Sequence, residues 1–235
     1  MALTDTGSRQ RQSNARGGLL VALDLDGTLI DARDRQVGVA SEALAEVTGH
    51  ELDERRFWQA KRLGATTREA LELLGHPTGS AIAVAQRWSQ RIESDEWLRR
   101  DRALPGVPRA LASLRAAGVA TVVLTARRSA DGARVSLRSA GLEDLVEQLF
   151  VVDPVRAVAG KATALRRCRA AAFVGDTESD GAAADRAGVP FGAVSTGQRS
   201  RPYLRAAGYD AAASLRVALE RVMSATGPPA RISSS

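Results

Sequence analysis

The stretch Gly18–Asp26, GLLVALDLD, runs from an apolar segment straight into two aspartates, and it decides the fold. A continuous apolar run of this length is typical of a strand buried on both faces of a parallel sheet. Four further runs of this kind follow at 119–126, 148–153, 170–176 and 190–195. Helical patterns lie between them, so the chain is predicted to be an α/β protein whose parallel sheet carries helices on both faces.

One segment, residues 34–103, interrupts this alternation because it contains no strand-like run. Its patterns predict helices at 40–48, 53–63, 67–75 and 79–98. Ligands of such sheets bind beyond the carboxyl ends of the strands, so we expect a small helical cap over that edge. The remaining divisions are a core domain at 17–33 and 104–225 and disordered polar tails at 1–16 and 226–235.

Composition excludes several classes of protein. The chain has 235 residues, of which 44% are hydrophobic, and its one cysteine, Cys168, rules out an internal disulfide. No apolar run approaches the roughly 20 residues of a membrane span, and the N-terminal region lacks the apolar centre of a secretory signal. We therefore expect a cytoplasmic protein without membrane contact, as a monomer or homodimer.

The charge is basic, at +6, with 33 basic and 27 acidic residues. This excess raises the hypothesis of a nucleic-acid partner. However, the basic residues are spread along the chain, and aromatic residues make up only 4% of it. Because a single-strand binder combines dense basic residues with stacking aromatics, we predict no nucleic-acid partner.

The first chemical motif is Asp24-Leu25-Asp26-Gly27-Thr28. Alternation along a strand would place Asp24 and Asp26 on one side of it. Two carboxylates close together repel each other, and a divalent cation removes that repulsion. Oxygen ligands of this kind suit Mg²⁺, which also accepts phosphate as a ligand. The alternative is an exposed pair of aspartates that caps a loop.

Further polar residues follow other predicted strands. Asp176 and Asp180 come after 170–176 and would face the same ion, although both residues could simply cap the next helix. Thr125 ends the second strand, where its hydroxyl could bind a phosphate oxygen or belong to an ordinary loop. Lys161 opens a predicted helix, where it could offset phosphate charge, hold a carboxylate of the site or be solvated.

These four motifs, in this order, resemble the haloacid dehalogenase-like hydrolase superfamily. The likeness rests on Asp24–Thr28, Thr125, Lys161 and Gly175–Asp180, and it extends over about residues 18–220. It implies a Rossmann-like core. An insertion between the first two motifs resembles the α-helical cap of the phosphoglycolate phosphatase and β-phosphoglucomutase group.

The resemblance implies a phosphatase that acts on a small phosphorylated metabolite, such as phosphoglycolate or a sugar phosphate. Asp24 would attack phosphorus and form an aspartyl-phosphate, while Asp26 would protonate the leaving alcohol and then take a proton from water. The implied Mg²⁺ ligands are Asp24, the backbone carbonyl of Asp26, Asp176 and, in support, Asp180. The implied phosphate-binding residues are Thr125, Ala126 and Lys161.

Other residues are less firmly placed by the resemblance. The family usually has proline after the motif lysine, whereas Ala162 follows Lys161 here. Arg127 and Arg128 could supplement phosphate binding or form a solvated loop pair. The segment 61–68 resembles a substrate-facing cap loop, in which the residues that contact the substrate would be Lys61, Arg62, Thr66 and Arg68. The alternative is a plain connection between two helices, with Thr67 as the N-cap of the second.

Two other functions remain open. The first is a phosphomutase of the β-phosphoglucomutase type, against which the segment 30–36, IDARDRQ, lacks the histidine that the mutase uses. The second is a non-catalytic binding module that retains the fold. Intact Asp24, Asp26, Lys161 and Asp176 argue against it.

Overall fold

The computed structural model describes residues 18–226, and a five-stranded parallel sheet lies at its centre. The strands of the described chain are β1 (Leu20–Leu23), β2 (Ile30–Asp31), β3 (Arg102–Ala103), β4 (Ala120–Ala126), β5 (Gln148–Val152), β6 (Ala172–Gly175) and β7 (Phe191–Ala193). The sheet has the order β5-β4-β1-β6-β7, and every neighbouring pair in it is parallel. The predicted α/β fold is confirmed, and the ends of each of the five predicted strands lie within three residues of the ends of an observed strand.

Helices connect the strands and form the insertion. They are α1 (Arg33–Thr48), α2 (Glu54–Arg62), α3 (Thr67–Leu73), α4 (Thr78–Arg91), α5 (Asp95–Leu98), α6 (Val107–Ala116), α7 (Ala130–Ser139), α8 (Ala157–Cys168), α9 (Glu178–Ala187), α10 (Arg201–Ala206) and α11 (Leu215–Thr226). We call α1–α5 the inserted helices. None of the helices within 18–226 is long and apolar enough to cross a membrane.

Apolar side chains cover both faces of the sheet. Val21 and Leu23 of β1 pack into one apolar cluster with residues of α6 and α11, whereas Ala22 between them packs on the other face against α8 and α9. Successive strand residues point to opposite faces, so a strand covered on both sides must be apolar at every position. This is why the first strand reads as an unbroken apolar run.

The inserted helices have an apolar core of their own. Leu44 of α1, Phe57 of α2, Leu71 of α3 and Val84 of α4 are buried against one another, away from the clusters on the sheet. The predicted domain boundaries, 34–103 against the rest, stay a prediction. Of the predicted tails, 1–16 lies outside the described residues, as does 226–235 apart from Thr226, at which α11 ends.

Three features of the insertion differ from the predictions. The helix expected at 79–98 is divided into α4 and α5. Helix α1 begins at Arg33 rather than at residue 40. Its first turns were not predicted because they carry the polar residues Arg35 and Gln36, which are buried in the structure. The segment predicted to contain no strand includes the two residues of β3. These pair antiparallel with β2, so the chain enters and leaves the insertion along adjacent paths.

Candidate active site

A cavity of about 500 Å³ lies at the carboxyl edge of the sheet. Parallel strands bring their carboxyl ends to one edge, so residues distant in sequence converge there. Asp24 follows β1, Thr125 lies near the end of β4, and Asp176 follows β6. All three line the cavity, as do Lys161 of α8 and Asp180 of α9. The structure therefore brings the four sequence motifs together.

Lys161 links the aspartates of the site. Its ammonium donates hydrogen bonds of 2.6 Å to Oδ1 of Asp24 and of 2.6 Å to Oδ1 of Asp180. The prediction that Lys161 opens a helix is wrong, because α8 begins at Ala157 and Lys161 lies in its second turn. From that position the side chain is buried rather than solvated.

Three buried carboxylates lie close together, and this one ammonium hydrogen-bonds two of them. One oxygen from each of Asp24, Asp176 and Asp180 lies within 4.8 Å of the others. Burial raises the pKa of Asp24 to about 7, with Asp180 adding to the rise and Lys161 opposing it. Burial and the neighbouring Asp24 also raise the pKa of Asp176. With three acids and one base, the cluster lacks positive charge, and its all-oxygen donor set fits Mg²⁺.

The free oxygens indicate which carboxylates could hold an ion directly. Asp180 uses both of its oxygens, one for Lys161 and the other for the hydroxyl of Thr177 at 2.6 Å. The backbone N–H of Gln198 donates to Oδ2 of Asp176 at 2.6 Å. Within residues 18–226, Asp24 and Asp176 each keep one oxygen without a hydrogen-bond partner. These two are the available ligands, and Asp180 supports them.

The turn after β1 requires glycine. Gly27 has a φ of +81°, a conformation that side-chain-bearing residues rarely adopt. A Cβ atom at Gly27 would lie 2.3 Å from Oδ2 of Asp176 and 2.6 Å from the Cα atom of Gly197. Gly27 therefore lets the first motif approach Asp176 closely.

Asp26 lines the same cavity, but its carboxylate is directed to two arginines. Arg127 donates from Nε to Oδ2 at 2.8 Å and from Nη2 to Oδ1 at 2.7 Å, and Arg35 donates to Oδ1 as well. Burial alone would raise the pKa of Asp26, but Arg127 and Arg35 outweigh it and hold that pKa below its ordinary value. The Asp26 side chain is therefore unavailable as a metal ligand in this geometry, although its carbonyl was the predicted donor.

The contacts of the Asp26 side chain with arginines were not predicted from the sequence. Arg127 was expected to supplement phosphate binding or to be solvated; it is not solvated, because it is 3% exposed, and its guanidinium is paired with Asp26. Arg35, Asp101 and Ser136 were not predicted as site residues at all. Their separation in sequence gives no spacing pattern, so no local signal could have found them. Arg128 is nearly half exposed and lies 3.6 Å from Glu93.

The expected phosphate-binding strand end is in place. Thr125 is 1% exposed, and it and Ala126 both line the cavity. Because Thr125 is buried at the carboxyl end of β4, it is not the ordinary loop threonine that the sequence left as an alternative.

The predicted cap-loop residues do not line this cavity. Arg62 donates to the carbonyls of Ser195 at 2.9 Å and of Gly197 at 2.7 Å, and so joins the inserted helices to the loop after β7. Lys61 is buried, 3.3 Å from the hydroxyl of Thr67 and 5.2 Å from the centre of the Trp88 ring.

The cap of α3 also differs from the expectation. Thr66, rather than Thr67, caps the helix in a reciprocal pair with Glu69, and Arg68 is exposed. The cavity wall opposite the sheet instead comes from α1, α4 and the residues after it. Its members there are Gln36, Trp88, Ser89, Ile92 and Glu93.

Comparisons with known proteins agree with this fold. No match is found among the curated proteins. Among solved structures, a predicted phosphoglycolate phosphatase from Haemophilus somnus is 17% identical, with a TM-score of 0.66, over 87% of this chain and 97% of that one. A protein provisionally named a β-phosphoglucomutase, from Thermotoga maritima, is 19% identical, with a TM-score of 0.60, over 88% of this chain and 99% of that one. At these identities the likeness shows the fold alone.

The family comparison reaches further than the solved structures do. The chain matches the haloacid dehalogenase-like hydrolase family over residues 19–188, which includes all four motifs at the carboxyl edge of the sheet. The buried cluster of Asp24, Lys161 and Asp176 lies within that match. From the first strand to the end of α9, this chain belongs to the haloacid dehalogenase-like hydrolase family.

Proposed function

We propose that the protein is a Mg²⁺-dependent phosphatase that hydrolyses a small phosphomonoester through an aspartyl-phosphate. One observation carries this proposal. Asp24, 5% exposed, follows β1 at the cavity. One of its oxygens accepts from Lys161, and the other has no hydrogen-bond partner in the described part of the chain. A buried carboxylate oriented in this way is suited to act as a nucleophile.

The first step is the transfer of the phosphoryl group to Asp24. A bond forms between the free Asp24 oxygen and phosphorus as the bond from phosphorus to the ester oxygen breaks. The leaving oxygen takes the electron pair and a proton from Asp26, whose carboxyl has to take up that proton from solvent before the transfer, because Arg127 and Arg35 lower its pKa. Lys161 keeps the other Asp24 oxygen in place, so the carboxylate presents one oxygen to the substrate.

The second step restores the enzyme. Asp26, now ionised, takes a proton from a water molecule as that water attacks the phosphorus of the aspartyl-phosphate. The bond between phosphorus and Asp24 breaks, inorganic phosphate leaves, and Asp24 is again a carboxylate. Asp26 thus acts as an acid and then as a base, which requires it to face the reacting oxygen in both steps.

The charge of the phosphoryl group needs compensation. Lys161, Thr125 and Ala126 line the cavity beside Asp24 and would bind the non-reacting oxygens. Asp176 would hold Mg²⁺ through its free oxygen and Asp24 through the oxygen that also accepts from Lys161, which leaves the other Asp24 oxygen for phosphorus; Asp180 would be in support. When bound, the ion neutralises charge on the carboxylates and on the phosphate.

The leaving group would occupy the part of the cavity next to α1 and α4. Trp88 and Ile92 give it an apolar wall, and Gln36 and Ser89 add polar groups. This space suits a small metabolite such as phosphoglycolate or a sugar phosphate. The solved structures of similar fold carry both a phosphoglycolate phosphatase name and a β-phosphoglucomutase name.

The test is phosphate release by the purified protein from a panel of phosphomonoesters, with and without Mg²⁺. We expect release only with the ion, and none from Asp24→Asn. The matched control is Asp210→Asn, because Asp210 is exposed and its ion pairs among the described residues are with surface arginines. Rapid acid quenching followed by peptide mass analysis should find a phosphoryl group on the peptide that contains Asp24.

The outcomes separate the alternatives. Phosphate release that persists in Asp24→Asn would contradict the proposal. A phosphomutase would move the phosphoryl group within a sugar phosphate and release little inorganic phosphate. A non-catalytic module would do neither, and Asp24→Asn would then leave its ligand binding unchanged.

A further inference from the structure

Five side chains around the cavity form a closed ring of polar contacts. Arg127 bonds Asp26 through two nitrogens and reaches the hydroxyl of Ser136 at 2.8 Å. That hydroxyl donates to Asp101 at 2.6 Å, Asp101 accepts from Arg35 at 2.9 Å, and Arg35 returns to Asp26. Asp26, Arg35 and Arg127 line the cavity, whereas Asp101 and Ser136 do not. The side chain of Asp26 is 22% exposed, and the other four members are nearly inaccessible.

All three guanidinium nitrogens of Arg127 have hydrogen-bond partners. Nε and Nη2 bond Asp26, while Nη1 bonds Ser136 and lies 3.5 Å from the carbonyl of Gly132. A planar guanidinium that grips both oxygens of a carboxylate fixes the orientation of the carboxylate as well as its position. The ring contains two carboxylates and two guanidiniums, so it has no net positive charge with which to bind phosphate.

The ring also spans the connections between the sheet and the inserted helices. Asp26 lies in the turn after β1, Arg35 in the first turn of α1, and Asp101 directly before β3. Arg127 directly follows β4, and Ser136 lies in α7. The carboxylate of Asp26 is thus held from both sides by segments that are themselves fixed by buried ion pairs.

We propose that Arg127 and Arg35 are positioning residues that hold Asp26 toward the reacting oxygen, and that Asp101 and Ser136 hold the two arginines in place. This inference rests on the proposed function, in which Asp26 transfers protons. Without the arginines, the short side chain could rotate away from the cavity. A displacement of about 1 Å can cost a reaction about 100-fold in rate.

The test is a double-mutant cycle between Arg127 and Asp26. The variants are Arg127→Met, Asp26→Asn and the pair, assayed with Mg²⁺ under single-turnover and steady-state conditions. The substrates are p-nitrophenyl phosphate, whose leaving group needs no proton, and an alkyl phosphate, whose leaving group does. The p-nitrophenyl ester keeps the slow variants measurable.

We expect Arg127→Met to lower kcat about 10- to 100-fold in the chain with Asp26, with a KM that changes less than about threefold. In the Asp26→Asn background, the same substitution should lower kcat less than about threefold, because there is no carboxylate left to position. The loss should be larger with the alkyl ester. A role in phosphate binding would instead raise KM in both backgrounds, and a purely structural role would lower kcat equally in both.

A second cycle, between Asp101 and Asp26, protects the test against misfolding of one variant. Asp101 does not line the cavity, so Asp101→Asn perturbs the ring from outside, and its effect should likewise disappear when Asp26 is Asn. Arg127→Lys restores charge without the two-point grip and should recover only part of the activity. Arg115→Met is the matched control, since Arg115 is exposed and bonds only the carbonyl of Asp144 among the described residues.

The failures are distinguishable. Losses that add fully across the cycle, for Arg127 and for Asp101, would overturn the positioning role while leaving the phosphatase proposal intact. Asp26→Asn with unchanged activity, or Asp24→Asn with retained activity, would overturn the proposed function itself. Melting temperatures of every variant, compared with that of Arg115→Met, identify any loss that comes from unfolding.

Discussion

The same substitution at two aspartates, two residues apart, is expected to have opposite effects on stability. We predict that Asp24→Asn stabilises the metal-free chain and that Asp26→Asn destabilises it. The difference lies in the surroundings of the two carboxylates. Asp24 belongs to a cluster with too little positive charge, and Asp26 is paired with both Arg35 and Arg127.

For Asp24 the sign follows from its raised pKa. Its carboxyl has a pKa of about 7 in the folded chain and an ordinary value of 3.8 when unfolded. Between these values the folded chain binds more protons, so the free energy of unfolding falls as the pH rises, by about 1.4 kcal/mol per unit. From pH 5 to pH 8 this amounts to about 3 kcal/mol, and asparagine escapes the loss because it does not ionise.

For Asp26 the sign is reversed. Its lowered pKa means that the ion pairs stabilise the fold above the ordinary value, and that this contribution disappears only as the pH falls well below 4. Replacing the carboxylate leaves Arg35 and Arg127 buried with one fewer partner. Removing one member of a buried ion pair costs about 3–5 kcal/mol, and the partial exposure of Asp26 places the expected loss toward the lower end.

The assay is urea denaturation at pH 5 and pH 8 in the presence of EDTA. Asp24→Asn should gain about 3 kcal/mol on the parent between pH 5 and pH 8, whereas Asp26→Asn should be less stable at both. Asp210→Asn, at an exposed pair, should stay within about 1 kcal/mol of the parent. The reasoning is refuted if Asp24→Asn is destabilised to the same extent at both pH values, since its charge would then be well compensated in the fold.

Three further outcomes are expected. Mg²⁺ at ten times its dissociation constant should add about 1.4 kcal/mol to the free energy of unfolding, which raises the melting temperature by about 3–6 °C. Asp176→Asn should largely remove this rise, and an equal rise in both chains would place the ion elsewhere. Gly27→Ala should destabilise the fold by more than about 1 kcal/mol and weaken Mg²⁺ binding, as measured by calorimetry, because its Cβ atom would collide with Asp176; unchanged values would contradict the close approach. Arg62→Met should lower the free energy of unfolding by about 1–3 kcal/mol, because it leaves the carbonyls of Ser195 and Gly197 without this donor. Urea denaturation measures the loss, and an unchanged free energy would contradict the contact.

The sheet could be predicted because its sequence signal is local. A strand covered on both faces must be apolar at successive positions, and β1 and β4 show this directly. The convergence of Asp24, Thr125, Lys161 and Asp176 could also be anticipated, because parallel strands place their carboxyl ends at one edge. The two-residue strands β2 and β3 were missed because a pair this short has no pattern of its own.

The sequence by itself determined the α/β fold, the family and the identity of the acidic cluster, since each follows from short motifs at strand ends. Only the tertiary structure decided that Asp26 is paired with Arg35 and Arg127, and that Lys61 and Arg62 make contacts outside the cavity. The physical reason is the range of the interactions. A motif is written in neighbouring residues, whereas a buried ion pair depends on which distant charges the packing of α1, α2 and β4 brings together, and no spacing in the chain records that.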